Sequence, residues 1–153
     1  MNTKNDNLKK YIIPSCAILL FILDRLTKYL IINDLFGERC FFITLLKNKG
    51  VAFSLALPEQ MGVSFYVLIG IILIFLSTWF VRSWKEKLWG EVCGLLLVII
   101  GAISNLIDRI KYGSIIDFID LKIWPVFNIA DTMIVVGAVL LIWQYLRDYK
   151  LKR

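Results

Sequence analysis

The sequence predicts an all-α integral membrane protein of four transmembrane helices, and three observations lead there. Apolar residues make up 59% of 153 residues, and a mean hydropathy of +0.73 is too high for one soluble core. Four runs reach the roughly 20 apolar residues that a spanning helix needs: about Tyr11–Ile32, Met61–Val81, Val92–Ile110 and Val126–Leu146. Lys and Arg alternate in density between the segments that join those runs, as expected when the basic segments stay cytoplasmic.

Each run is expected to be helical, because lipid offers no partner to an open backbone. Asn33–Gln60 and Lys111–Pro125 remain as the two sizeable loops, so residues 1–153 read as a single membrane-embedded domain. The amino end, the segment between the second and third runs, and the tail hold ten basic residues, from Lys4 to Arg153. The two longer loops hold five: Arg39, Lys47, Lys49, Lys111 and Lys122. Both termini are therefore expected in the cytoplasm. The net charge of +6 follows from this topology, and no basic face for nucleic acid is indicated. The stretch "YIIPSC" leaves only a short apolar region before Cys16, so the first run is read as a retained helix and not a cleaved leader. Three cysteines, two of them (Cys16, Cys93) inside spans, do not suggest a disulfide framework.

The chain has no histidine, which removes Ser-His and Cys-His nucleophile arrangements and the usual zinc sites. Chemistry must rest on carboxylates, amides and embedded cations, and these fall into four clusters. In "LDRLTK", Asp24, Thr27 and Lys28 share a helix face. Taken alone, they suggest an internal ion pair of Asp24 with Lys28 or Arg25. In "NKGVAFS", Asn48 to Ser54, a β-branched and aromatic stretch precedes a turn at Gly50. It fits an ordinary hairpin or a close backbone approach to a bound peptide.

In "GAISNLIDRIKYGSIIDF", Asn105 shares a face with Asp108 and Arg109 near the outer surface, and Asp117 follows a turn at Gly113. Asp108 has a neutralising partner in Arg109 or another cation. An extended "SIIDFID" puts Asp117 on the side of Ile115 and Ile119, facing inward, although a solvated loop acid fits the same residues. In "FNIADTMIVVG", Asn128 and Asp131 lie one turn apart at the outer end of the fourth run. An acid there is tolerated by the positive helix amino terminus, yet an acid in lipid is also a mark of function. Two carboxylates meeting at that surface cannot both ionise readily, so one can hold a proton while the other activates water. Spacing does not choose Asp117 over Asp108 as the partner of Asp131.

In this order the motifs "LDRLTK", "NKGVAFS", "GAISNLIDR…GSIIDF" and "FNIAD" resemble the lipoprotein signal peptidases, or signal peptidase II, from about Asp24 to Gly137. The resemblance implies a bacterial aspartyl endopeptidase with four helices and a small extracytoplasmic β-cradle. Its place would be the cytoplasmic (inner) membrane, with the active site at the outer face. The implied substrates are diacylglyceryl-modified prolipoproteins cut just before the lipidated cysteine, by a monomer in contact with membrane lipid and without metal or cofactor. It makes Asp117 and Asp131 the catalytic pair. Asn48, Gly50, Asn105, Arg109 and Asn128 would line the site or hold the pair, Asp24 and Lys28 would support it, and Asp108 would stabilise the helix end. Sensitivity to globomycin-like cyclic peptides is implied as well. Ser104 stands where a glycine is commoner, Ala102 follows one glycine instead of two, and the segment between the two aspartates is short. A small transporter or proton pathway is the alternative function, and a scaffold without catalysis a third; a rhomboid-like serine protease is disfavoured by the missing histidine.

Overall fold

The computed structural model describes residues 3–35, 42–50 and 62–151. Four helices, α1 (Thr3–Ile32), α2 (Gly62–Lys85), α3 (Trp89–Tyr112) and α4 (Ile129–Leu151), are joined by two strands, β1 (Ile43–Asn48) and β2 (Ile115–Ile119). Arg39, the Val51–Ser54 part of the "NKGVAFS" motif, and the basic residues Lys152 and Arg153 lie outside the described residues.

By length and composition, α2, α3 and α4 qualify to cross a membrane. The first run is helical as expected, but α1 carries Asp24, Arg25 and Lys28 inside its apolar stretch, too many charges for composition alone to mark it. In the folded chain, Asp24 and Lys28 are fully buried. α2 has no fully buried residue in its apolar window, and Val67, Ile71, Ile74 and Phe75 face outward. α3 is the central helix and packs on α1, α2, α4 and β2.

Small residues let α3 and α4 approach closely, as in many lipid-embedded helix pairs. A Cβ on Gly101 would sit 2.6 Å from the Ala130 carbonyl oxygen, and one on Gly137 2.6 Å from that of Gly94. The pairs Gly94–Gly137 and Gly101–Ala130 are seven residues apart along both helices, about two turns, and make one continuous seam. Leu95 and Val92 on α3 and Ala130 on α4 are completely buried.

α3 ends at Gly113, whose φ of 68° supports a left-handed cap with its N–H donating to the Arg109 carbonyl at 3.0 Å. The turn expected at Gly113 therefore turns the chain into β2. β1 and β2 pair antiparallel, with Leu46 opposite Asp117 and Asn48 opposite Ile115. On its other edge β2 is bonded by Phe127, whose carbonyl accepts from Ile119 N at 2.7 Å and whose N–H donates back at 3.1 Å. Asp117 faces inward as expected, but Ile116 and Phe118 on the opposite face are buried too. The alternation expected for "SIIDFID" is lost because β2 packs against both α1 and α3.

Candidate active site

The fourth cluster begins as a helix cap. Asn128 precedes α4, and its side-chain Oδ1 accepts the Asp131 backbone N–H at 2.8 Å, while Asp131 Oδ2 accepts the Asn128 backbone N–H at 3.3 Å. This reciprocal pair is a capping box with Asp in place of Glu. It orients Asp131 and leaves Oδ1 to accept from Asn105 Nδ2 of α3 at 2.7 Å.

Asp117 comes to the same place through strand register. β1 pairing sets Asn48 beside it, and Asn48 Nδ2 donates to Asp117 Oδ2 at 2.9 Å. Asn128 Nδ2 donates to Asp117 Oδ1 at 2.7 Å and lies 3.2 Å from Asn105 Oδ1. Asn128 thus touches both aspartates. Among the described residues no hydrogen bond joins Asp117 and Asp131 directly, so the pair is bridged by neutral amides. Burial pushes the Asp117 carboxyl from 3.8 up to about 6; the Asp131 charge adds to this, while the Asn48 and Asn128 donors and Lys28 oppose it.

Beneath the amides lies a buried ion network. Lys28 Nζ meets Asp108 at 2.7 Å, Asp24 at 2.9 Å and Asn105 Oδ1 at 3.1 Å, which satisfies its three donors. Because an ammonium only donates, it fixes the Asn105 oxygen toward itself and leaves the Asn105 NH₂ for Asp131. Asp24 also accepts Ser104 Oγ at 2.5 Å and the Ala130 backbone N–H at 3.0 Å, tying α1 to the start of α4. Asp108 pairs with Arg25 at 2.5 Å and accepts the Ile116 N–H at 3.4 Å.

The sequence left several partners open, and the structure chooses among them. Asp24 pairs with Lys28, and Arg25 with Asp108. Among the described residues Arg109 makes no ion pair with Asp108; it donates to the Gly50 carbonyl at 3.0 Å and stacks over the Phe65 ring at 5.2 Å. Gly50 is in turn held by its N–H to Asn48 Oδ1 at 2.9 Å. All ten predicted site residues therefore belong to one connected set. Sequence reasoning missed Ser104 as a site member and Arg25 as the partner of Asp108. Ser104 is four residues before Asp108, and that shared face was the available signal. Among the described residues no group of three or more His, Cys, Asp or Glu is placed to hold a metal ion.

A family model described as Signal peptidase (SPase) II matches residues 16–147. The chain belongs to the signal peptidase II family. This is a family of aspartic-type peptidases, and every predicted site residue of this signal peptidase II chain lies inside the matched region. The lipoprotein signal peptidase of Moorella thermoacetica is 38% identical over 138 residues, 85% of this chain and 89% of the relative. That of Pelotomaculum thermopropionicum is 46% identical over 109 residues, 71% and 69% of the two chains. Two solved structures of a bacterial membrane enzyme, obtained by the in meso method at 2.3 and 1.9 Å resolution, have the same fold as this family member. The first gives a TM-score of 0.73 at 29% identity over 93% of this chain and 92% of that one. The second gives 0.72 at 31% identity over 90% and 94%.

Proposed function

We propose that this signal peptidase II removes the signal peptide from diacylglyceryl-modified prolipoproteins, cutting before the lipidated cysteine, with Asp117 and Asp131 as its catalytic pair. The observation that carries the reading is Asn128, which holds one aspartate through Nδ2 and the other through Oδ1. Asp117, with its carboxyl near 6, is the proton holder. Asp131 takes a proton from a water lying between the pair as that water attacks the scissile carbonyl. The Asp117 proton supports the developing oxyanion. Collapse of the tetrahedral intermediate breaks the C–N bond, and the proton taken by Asp131 passes to the leaving amine. Asn105, Asn128 and Asn48 keep both carboxyls aimed, and Arg109 with Gly50 shapes the edge where substrate backbone lies. No step needs a metal or cofactor.

The whole chain works as one domain and one monomer with four crossings, α1 included. A charge facing lipid costs several kcal/mol, and α1 avoids this because Asp24 and Lys28 are paired inside the bundle. The site gathers the carboxyl-terminal ends of α1 and α3 and the start of α4, while Lys9, Lys10, Arg82, Lys85, Lys87, Arg147 and Lys150 are at the opposite ends. With basic ends cytoplasmic, the aspartates face the outer surface of the inner membrane. That is the depth at which a diacylated cysteine leaves its peptide bond while its acyl chains stay in the bilayer. Exposed apolar side chains such as Val67, Ile71 and Ile74 of α2 suit contact with lipid. A proton pathway would carry acids through the midplane, whereas these acids gather at one end.

The test is cleavage of a diacylglyceryl prolipoprotein by the purified chain, beside the unlipidated precursor and the Asp117→Asn and Asp131→Asn variants at matched folding. Cleavage of the lipidated form alone, lost in both variants, is the expected result. An active Asp117→Asn with an inactive Asp108→Asn would move the catalytic role to Asp108.

A further inference from the structure

At the end of the bundle opposite the aspartates, a cavity of about 380 Å³ opens between α1, the α2–α3 turn and α4. Three elements each bring a cation to it: Lys9, Lys87 and Arg147. Trp89 and Trp143 line it as well, the aromatic type that settles at the headgroup level. α3 starts here after Leu88 without a side-chain cap, so its first turn offers backbone N–H groups that favour an anion.

Gln144 is the second, independent sign of a ligand. It is 7% exposed and lines the cavity, and among the described residues its amide makes no hydrogen bond. Among the described residues no fully buried side-chain N or O atom lacks a partner, so the Gln144 amide stays open on the cavity side, where a ligand can meet it. Gly90 leaves room for it, since a Cβ there would lie 2.5 Å from Gln144 Oε1. Two acids also line the cavity, and both are engaged. Glu91 is turned toward α2, accepting from Ser83 Oγ at 2.7 Å and Trp79 Nε1 at 3.0 Å. Asp148 pairs with Arg147 at 3.0 Å, which leaves further guanidinium donors unused. Lys9 makes no ion pair among the described residues, and Lys87 reaches only Asp6, at 4.0 Å. Lys87 also holds a left-handed φ of 57°, a position where glycine is the usual residue.

We propose that this cavity binds the phosphate of an anionic phospholipid headgroup from the inner leaflet. The cations neutralise the phosphate, Gln144 and the α3 amino terminus donate to its oxygens, and the tryptophans flank the glycerol region. A lipid is favoured over free phosphate because the cavity opens beside outward-facing apolar residues such as Trp143 and Leu88, where acyl chains can continue.

The test is native mass spectrometry of the full chain released from nanodiscs containing equal phosphatidylglycerol and phosphatidylcholine. The parent should retain phosphatidylglycerol with about thirtyfold preference, and removing two cations, at about fivefold per cation, should bring that preference close to one. The variants are Lys87→Gln with Arg147→Gln, and separately Gln144→Leu. Lys85→Gln with Lys150→Gln, an equal charge loss away from the cavity lining, serves as control and should change retention less than twofold. Prolipoprotein cleavage reports that each variant is folded. Equal losses in both double variants would reduce the effect to bulk charge and overturn the proposal. Displacement of the lipid by equimolar inorganic phosphate would also overturn it, making this a free-phosphate site. If the cavity double variant does not fold, Gln144→Leu decides: unchanged retention would overturn the proposal.

Discussion

Asn128 has two separable jobs, and replacing it by Ala and by Ser should separate them. Asn128→Ala removes the acceptor for the Asp131 N–H at 2.8 Å and the donor to Asp117 at 2.7 Å. Loss of an amino-terminal cap costs about 0.5–2 kcal/mol, and loss of a hydrogen bond to a protonated carboxyl about 0.5–1.5 kcal/mol. Together they predict roughly 1–3.5 kcal/mol of destabilisation, the two not being strictly additive. Serine is as good a cap as asparagine, but its shorter side chain cannot span to Asp117. Asn128→Ser should therefore recover about 1 kcal/mol relative to Ala. Activity should not recover. With the Asp117 donor gone in both variants, kcat/KM should fall about 2- to 12-fold, the equivalent of 0.5–1.5 kcal/mol. The assay is cleavage of a lipidated prolipoprotein well below each variant's melting temperature, with thermal unfolding measured in the same detergent. A folded Asn128→Ser with kcat/KM equal to the parent's would show that Asn128 only caps α4. Equal destabilisation by Ser and Ala would show that the cap contributes little.

Further outcomes follow from the same geometry. With Asp117 as the proton holder near 6, kcat/KM should decline as pH rises through that value; a profile flat from pH 5 to 8 would remove Asp117 from that role. Its raised value also means that the folded chain binds this proton more tightly than the unfolded chain, whose carboxyl lies near 3.8. That stabilising contribution is present at low pH and lost as pH rises through about 6, so the melting temperature should show a matching component that Asp117→Asn abolishes. Lys28→Met leaves Asp24 and Asp108 buried without their shared cation and should destabilise by about 3–5 kcal/mol, read as loss of folded protein on size exclusion. Gly101→Leu forces a side chain against the Ala130 carbonyl and should cost about 1–3 kcal/mol, whereas Gly70→Leu, facing open space, should leave the melting temperature nearly unchanged.

Periodicity and composition determined a good deal of this molecule without any coordinates. A helix presents residues three and four apart on one face, so Asn105 with Asp108, Asp24 with Lys28, and Asn128 with Asp131 were legible as pairs, and the strand before Gly50 and the turn at Gly113 followed from residue type. The ordered motifs also identified the family. What needed the tertiary structure was every link between elements. Asp108 and Asp117 are equally good acids in the chain, but Asp108 is taken up in ion pairs by Arg25 and Lys28, while among the described residues Asp117 makes no ion pair and is held by the amides of Asn48 and Asn128. Register between β1 and β2 put Asn48 beside Asp117, and a slip of one residue would have turned it to the other face. The seam of Gly94, Gly101 and Gly137, and the cavity beside Gln144, depend on how closely α3 and α4 approach. Local spacing states which residues share a face; it carries no information on which other face they meet, because that is decided by packing over the whole chain.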